Sequence, residues 1–148
     1  MTAGGHGKRA IVVGAGLIGL ELSEALHSRG SKVTVIEFLP NVLLAMVDDD
    51  IAEVVKKRIE EEGVKLILNT NVDEVIGKDN VEGVTATNTR TNEKITVEAD
   101  VLVLAAGIKP DTGLAEKAGI ALGPAKAIKV DEHMKTSVEN IYAAGECT

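Results

Sequence analysis

The sequence predicts an α/β fold with three layers: a parallel sheet with helices on both faces, and an antiparallel three-stranded β-meander. Apolar strands near residues 9–13 and 33–36 are separated by a helical apolar pattern, which is typical of a parallel sheet. Between residues 72 and 97 the pattern changes to period two, which indicates antiparallel strands. The continuous apolar run Val101–Leu104 then predicts a buried parallel strand.

The first strand runs directly into a glycine-rich turn and then a helix. Gly14, Gly16 and Gly19 form G-x-G-x-x-G between the strand and a helix predicted from Leu17 to Arg29. Gly14 permits a tight turn, Gly16 lets the backbone approach a pyrophosphate, and Gly19 lets the helix pack closely on the strand. This order predicts a Rossmann-like, dinucleotide-binding unit. The residues expected to hold the pyrophosphate are Gly14, Ala15, Gly16, Leu17, Ile18 and Gly19.

The second strand, Val33–Ile36, ends in an acid. Glu37 follows Gly19 by eighteen residues, a spacing at which an acid accepts hydrogen bonds from the adenosine ribose hydroxyls. A 2′-phosphate would face this carboxylate, and Phe38 and Leu39 offer no cation, so we expect NAD(H) rather than NADP(H). Phe38 is expected near the adenine. A glycine turn without a ligand and an FAD site remain alternatives, because FAD sites use the same fingerprint.

Helix and strand patterns then follow in order. A helix is predicted from Asp50 to Glu62 and a third strand at Val64–Leu68. The three strands of the meander are predicted at Val72–Ile76, Val81–Thr87 and Lys94–Val97, separated by turn clusters. The meander replaces the next crossover helix.

The segment that follows the strand Val101–Leu104 is a candidate wall of the binding site. Ligands of doubly wound sheets bind beyond the carboxyl ends of the strands. We therefore expect Ala106, Gly107 and Ile108 beside the nicotinamide half of the cofactor. The alternative is a turn that starts a short helix near residues 114–118.

Composition excludes several classes of function. The 16 Lys and Arg against 23 Asp and Glu leave a net charge of −7, and Phe38 and Tyr142 are the only aromatic residues, so nucleic-acid binding is not expected. No apolar run is long enough to span a membrane. The single cysteine, Cys147, excludes an internal disulfide, and no metal site is expected. We expect a cytoplasmic protein with a flexible leader at residues 1–7.

The order of four segments resembles the pyridine nucleotide-disulfide oxidoreductase superfamily. They are residues 13–21, 35–37, 106–111 and 136–147. The resemblance is to the branch that contains NADH oxidases, coenzyme A-disulfide reductases, nitrite reductases and ferredoxin reductases. It implies that the chain is a piece of an FAD-dependent enzyme that transfers hydride from NADH to flavin.

The resemblance also implies a division of the chain. Residues 8–122 resemble the NAD(H)-binding domain that interrupts an FAD domain, and residues 123–148 resemble the return of the chain into that FAD domain. FAD and the redox cysteine would belong to the full-length parent, so the piece alone is expected to be inactive. A non-catalytic module that senses NAD is the alternative from a different class.

Two acids gain roles from the resemblance alone. Glu21 matches a family glutamate near the nicotinamide ribose and the flavin. The alternative is a carboxylate in the first turn that favours the helix N-terminus. Glu146 stands where the family motif usually has Asp, which contacts the ribityl side of FAD in full-length members.

The apolar residues of the tail lead to a prediction about association. Ile128, Val130, Ile141 and Tyr142 would normally be buried in the FAD domain. Without that domain, exposed apolar strand edges favour association. We expect a homodimer through the tail that forms with rising concentration, or a disordered tail.

Overall fold

The computed structural model describes residues 7–148. They divide into two compact units, the first ending at Gly107 and the second formed by Ile108–Thr148. Apart from Gly7, the predicted leader lies outside the described residues. Among the described residues, no helix combines the length and the apolar character needed to cross a membrane. Within the same range, no group of three or more His, Cys, Asp or Glu is arranged to hold a metal ion.

The first unit contains a parallel sheet of four strands and an antiparallel sheet of three. The elements are β1 (Arg9–Val13), α1 (Leu17–Ser28), β2 (Lys32–Ile36), α2 (Asp49–Glu61), β3 (Lys65–Ile67), β4 (Thr70–Ile76), β5 (Gly83–Asn88), β6 (Lys94–Glu98) and β7 (Val101–Leu104). The parallel sheet has the order β3-β2-β1-β7 and the antiparallel sheet the order β4-β5-β6. The predicted Rossmann-like class, with its meander and its returning parallel strand, is confirmed.

One detail of the predicted class differs, because α1 and α2 cover the same face of the parallel sheet. The strand residues Ala10, Val12 and Val35 form one buried cluster, against which Ile59 of α2 packs. The opposite face, with Ile11 and its neighbours, is buried against the antiparallel sheet. Its cluster consists of Ile11, Ile36, Val84 and Ala99. The meander thus supplies the third layer in place of a helix, because its own apolar face needs burial.

The second unit is formed mainly by turns. It contains the short helix α3 (Gly113–Lys117) and a 3₁₀ turn at Pro124–Lys126. Two isolated bridges join Leu122 to Ile128 and Lys135 to Tyr142. The side chain of Tyr142 is 62% exposed in the described chain. A homodimer through this segment stays a prediction.

An ion pair fastens the start of β7 to β1. The guanidinium of Arg9 donates to Asp100 from Nη2 at 2.8 Å and from Nε at 3.3 Å, and its backbone N–H donates to the same carboxylate at 2.8 Å. These hydrogen bonds hold the pKa of Asp100 at about 2, below its ordinary 3.8. The bond from the Arg9 side chain has the largest effect, and the bond from its backbone N–H comes next.

This pair predicts part of the acid sensitivity of the fold. Because the pKa of Asp100 is lower in the folded state, its contribution is complete above about pH 4 and is lost as the pH falls through about 2. Asp100→Asn should therefore lower the unfolding midpoint at neutral pH and flatten its decline in acid. Urea unfolding between about pH 7 and pH 2 measures this. Asp79→Asn, in the exposed β4–β5 turn, is the control and should keep the wild-type decline.

Candidate functional site

A cleft of about 980 Å³ lies at the carboxyl ends of the parallel strands. Its walls are the glycine loop after β1, the segment after β2, most of β4 and the segment after β7. All of these segments belong to the first unit. The cleft occupies the place where an open α/β sheet binds its ligands.

Each glycine of the loop meets a different steric requirement. Gly14 has φ +104°, and a Cβ there would lie 2.5 Å from the backbone oxygen of Ala105. A Cβ on Gly19 would overlap the backbone oxygen of Gly14, so the close contact of α1 with β1 requires glycine. A Cβ on Gly16 would meet nothing within 4 Å. Gly14 and Gly19 are therefore needed by the fold, whereas Gly16 leaves open space in the cleft.

The N-terminus of α1 is open toward this space. Gly16 is its N-cap residue, and no side chain caps the helix. The first backbone bond of the helix runs from the N–H of Leu20 to the oxygen of Gly16 at 3.0 Å. The N–H groups of Leu17, Ile18 and Gly19 consequently have no acceptor within the helix. Together with the positive end of the helix dipole, they suit an anionic group.

Glu37 is held in place by two backbone N–H groups. Ala15 donates to its Oε2 at 2.6 Å and Leu39 donates to its Oε1 at 2.8 Å. The carboxylate is half-buried and lines the cleft. Each carboxylate oxygen keeps a further lone pair, so Glu37 can still accept hydrogen bonds from a pair of ribose hydroxyls.

The loop between β2 and α2 forms a wall of the cleft, of which the sequence predicted only the beginning, at Phe38. The side chain of Asn41 is buried and donates to Glu53 of α2 at 2.9 Å, and the adjacent Val42 is fully buried. The N–H of Leu43 donates to the backbone oxygen of Ala15 at 3.0 Å, which ties the loop to the glycine loop. The loop lines the cleft with exposed apolar side chains, those of Phe38, Leu39 and Met46. The signal in the sequence was the apolar run after Asn41.

The segment after β7 contributes two of its three predicted residues to the cleft. The N–H of Ala105 donates to the oxygen of Val13 at 2.8 Å, which continues the parallel pairing beyond the strand. Ala106 and Gly107 then line the cleft with the glycine loop. Ile108 begins the second unit, to which Glu146 also belongs.

Glu21 lies elsewhere, and its predicted position in the first turn was wrong. Because α1 begins at Leu17, Glu21 is the fifth residue of the helix, and the first turn carries no acid. It lines a second cleft, of about 500 Å³, with residues of α1 and α2 such as His27 and Arg58. The effect of the helix dipole falls off beyond the first turn, so it gives Glu21 little role there.

Two acids of β4 line the first cleft and were also missed. Asp73 is the extra residue of a β-bulge between Val72 and Glu74. Its carboxylate accepts hydrogen bonds from Thr87 Oγ1 at 2.5 Å and Asn71 Nδ2 at 3.0 Å. These two bonds, the one from Thr87 first, hold the pKa of Asp73 below its ordinary value. A bulge cannot be read from period-two alternation, which predicted only the strand.

Relatives of the chain share this arrangement of segments. An NADH oxidase of Methanocaldococcus jannaschii is 42% identical over 140 residues, which are 95% of this chain and 30% of the relative. A NAD-dependent persulfide reductase from A. fulgidus has a TM-score of 0.82 and 43% identity over 95% of this chain and 25% of that one. An FAD-dependent pyridine nucleotide-disulphide oxidoreductase from Desulfovibrio vulgaris has a TM-score of 0.84 and 30% identity over 99% of this chain and 36% of that one.

The match to a family covers almost the whole chain. Residues 2–148 match the family described as pyridine nucleotide-disulphide oxidoreductase. The chain spans between 25% and 36% of the three relatives. The first two relatives are named for NADH or NAD and the third for FAD, and these are the two cofactors that the resemblance predicted. Fold, segment order and sequence agree, and the chain belongs to the pyridine nucleotide-disulphide oxidoreductase family.

Proposed function

We propose that residues 8–122 are the NAD(H)-binding domain of an FAD-dependent NADH oxidoreductase and that residues 123–148 belong to its FAD domain. One observation carries the proposal: the uncapped N-terminus of α1 and the carboxylate of Glu37 lie in one cleft, joined through Ala15. An anion-binding helix end next to a fixed diol acceptor matches the pyrophosphate and ribose of a dinucleotide.

The cleft residues suit the parts of NAD(H) in order. The pyrophosphate would lie on the N–H groups of Leu17 and Ile18, in the space that Gly16 leaves open. The adenosine ribose would bond to Glu37, with the adenine against the apolar loop that begins at Phe38. Ala106 and Gly107 would bound the nicotinamide end. The contacts of Ile108 and Glu21 with the nicotinamide half, and of Glu146 with FAD, stay predictions for the full-length parent.

The residues of this chain would bind and orient the cofactor, and the redox step belongs to the cofactors themselves. In the parent, bound NADH would supply a hydride and FAD would accept it. The glycine loop and Glu37 would hold one half of NADH, so that the nicotinamide projects from a fixed point. Placement of the protein in the cytoplasm also stays a prediction.

Calorimetric titration of the purified chain with NADH, NADPH and FAD tests the proposal. We expect a heat signal for NADH, a weaker affinity for NADPH, and no tight binding of FAD. Tight binding of FAD without a signal for NADH would assign the cleft to a flavin. No signal for any of the three would contradict a binding function for this chain.

Substitution of Glu37 should change the choice between the two dinucleotides. Glu37→Ala is expected to lower the ratio of Kd for NADPH to Kd for NADH by about tenfold or more, because it removes a charge close to the 2′-phosphate. The same variant loses two bonds to backbone N–H groups, so the affinity for NADH should also fall. Calorimetry with both dinucleotides measures the ratio.

Glu53→Ala is the matched control for Glu37→Ala. Glu53 braces the same loop through Asn41 but is absent from the residues that line the cleft. Its loss should weaken the binding of NADH and NADPH equally and leave the ratio of their Kd values unchanged. An unchanged ratio in Glu37→Ala would contradict the role of Glu37 at the ribose.

A further inference from the structure

The side-chain charges in the dinucleotide cleft all have one sign. Its titratable side chains are those of Glu37, Asp73 and Glu74. Among the described residues that line the cleft, none is Lys, Arg or His. The attraction for phosphate in this cleft therefore comes from backbone N–H groups, and the charged side chains oppose it.

Asp73 and Glu74 lie on β4, whose first residue is hydrogen-bonded to the backbone of Glu37. The strand that carries them begins at Thr70, whose N–H donates to the backbone oxygen of Glu37 at 2.9 Å. Three residues of strand span about 10 Å, and the hydrogen bond adds 2.9 Å, so Asp73 lies within roughly 13 Å of the Glu37 backbone. Its hydrogen bonds from Thr87 and Asn71 fix the position of the carboxylate.

We propose that Asp73 and Glu74 are specificity-determining residues that repel a 2′-phosphate through space, in addition to the contact with Glu37. The inference rests on the proposed binding of NAD(H). The extra phosphate of NADPH carries a charge of about −1.5 to −2 at neutral pH. At a separation of about 10–13 Å, which is below the Debye length of about 20 Å in dilute salt, two carboxylates should change the relative affinity by about three- to tenfold.

The dependence on salt distinguishes this repulsion from a direct contact with the 2′-phosphate. Repulsion over about 10–13 Å is screened strongly when the Debye length shrinks to about 4 Å in 0.5 M salt. A direct contact between a carboxylate and the phosphate is screened much less. The part of the discrimination that Asp73 and Glu74 supply should therefore disappear in high salt, while the part from Glu37 remains.

The test compares two double variants that change the net charge equally. Asp73→Asn with Glu74→Gln removes two of the three cleft charges and leaves that of Glu37. Asp79→Asn with Glu82→Gln removes two charges of the β4–β5 connection that lie outside the cleft lining. The ratio of Kd for NADPH to Kd for NADH is measured at about 20 mM and about 0.5 M salt. Glu74→Gln alone serves if the first double variant does not fold.

The cleft variant should lower the ratio by about three- to tenfold in dilute salt and match the wild type in high salt. The control variant should keep the wild-type ratio at both salt concentrations. A ratio that moves equally in both double variants, or stays at the wild-type value, overturns the proposal. So does a fall of equal size at both salt concentrations. A wild-type chain that binds neither dinucleotide instead refutes the proposed function itself.

Discussion

Gly16→Ala is expected to remove most of the affinity for NADH while the chain stays folded. Gly16 has φ −76° and ψ −178°, which alanine adopts without strain, and a Cβ there meets nothing within 4 Å. The methyl group would occupy the approach to the N–H groups of Leu17 and Ile18. We expect Kd to rise about 100-fold, or about 2.7 kcal/mol. Stability should change by about 1 kcal/mol or less.

Calorimetry with NADH and urea unfolding of the same variant measure the two effects separately. Gly123→Ala is the control, because Gly123 also has a negative φ, −96°, and a Cβ there makes only an ordinary contact with the oxygen of Ala127 at 3.8 Å. It should change neither the affinity nor the stability. Wild-type affinity in Gly16→Ala would place the pyrophosphate away from the α1 N-terminus.

Gly14→Ala is expected to act on the fold instead, with a loss of about 2–5 kcal/mol in the free energy of unfolding. Two destabilising contributions, backbone strain and steric overlap, add at this position. A side chain is strained at φ +104°, and the new Cβ would lie 2.5 Å from the backbone oxygen of Ala105. Ala105 directly follows β7 and its N–H bonds to Val13, so its oxygen cannot move without disturbing the pairing of β1 with β7. Urea unfolding measures the loss.

Gly63→Ala separates the backbone strain from the steric overlap. Gly63 follows α2 at φ +86°, and a Cβ there would meet nothing within 4 Å. This variant shares the backbone strain but not the overlap, and about 1–2 kcal/mol is expected. Equal losses in the two variants would show that the contact with Ala105 relaxes freely.

Features that depend on neighbouring residues could be predicted from the sequence. The predicted helix from Leu17 to Arg29 is observed at Leu17–Ser28, and the helix predicted from Asp50 to Glu62 at Asp49–Glu61. Both are ended by glycine and by the loss of apolar periodicity, which are properties of neighbouring residues. The roles of Gly14 and Gly19 could be predicted because their motif describes one strand–turn–helix unit.

Contacts between distant segments could not be predicted in this way. The alternation of Val84 and Ala86 indicates a strand with one apolar face, but it does not say which surface that face covers. The packing of Val84 with Ile11, more than seventy residues away, decides that the meander replaces helices on the second face. Asn41 likewise looks like a turn residue until its bond to Glu53 is seen.

The two hydrogen bonds of Ala15 order the glycine loop before any ligand binds. Its N–H donates to Glu37 and its carbonyl accepts from Leu43, so both hydrogen-bonding groups of the residue are engaged with the β2–α2 loop. The glycine loop therefore loses its conformational entropy when the chain folds, not when a ligand arrives. Association then carries a smaller ordering cost, and the loop is preorganised for a phosphate by a residue that has almost no side chain.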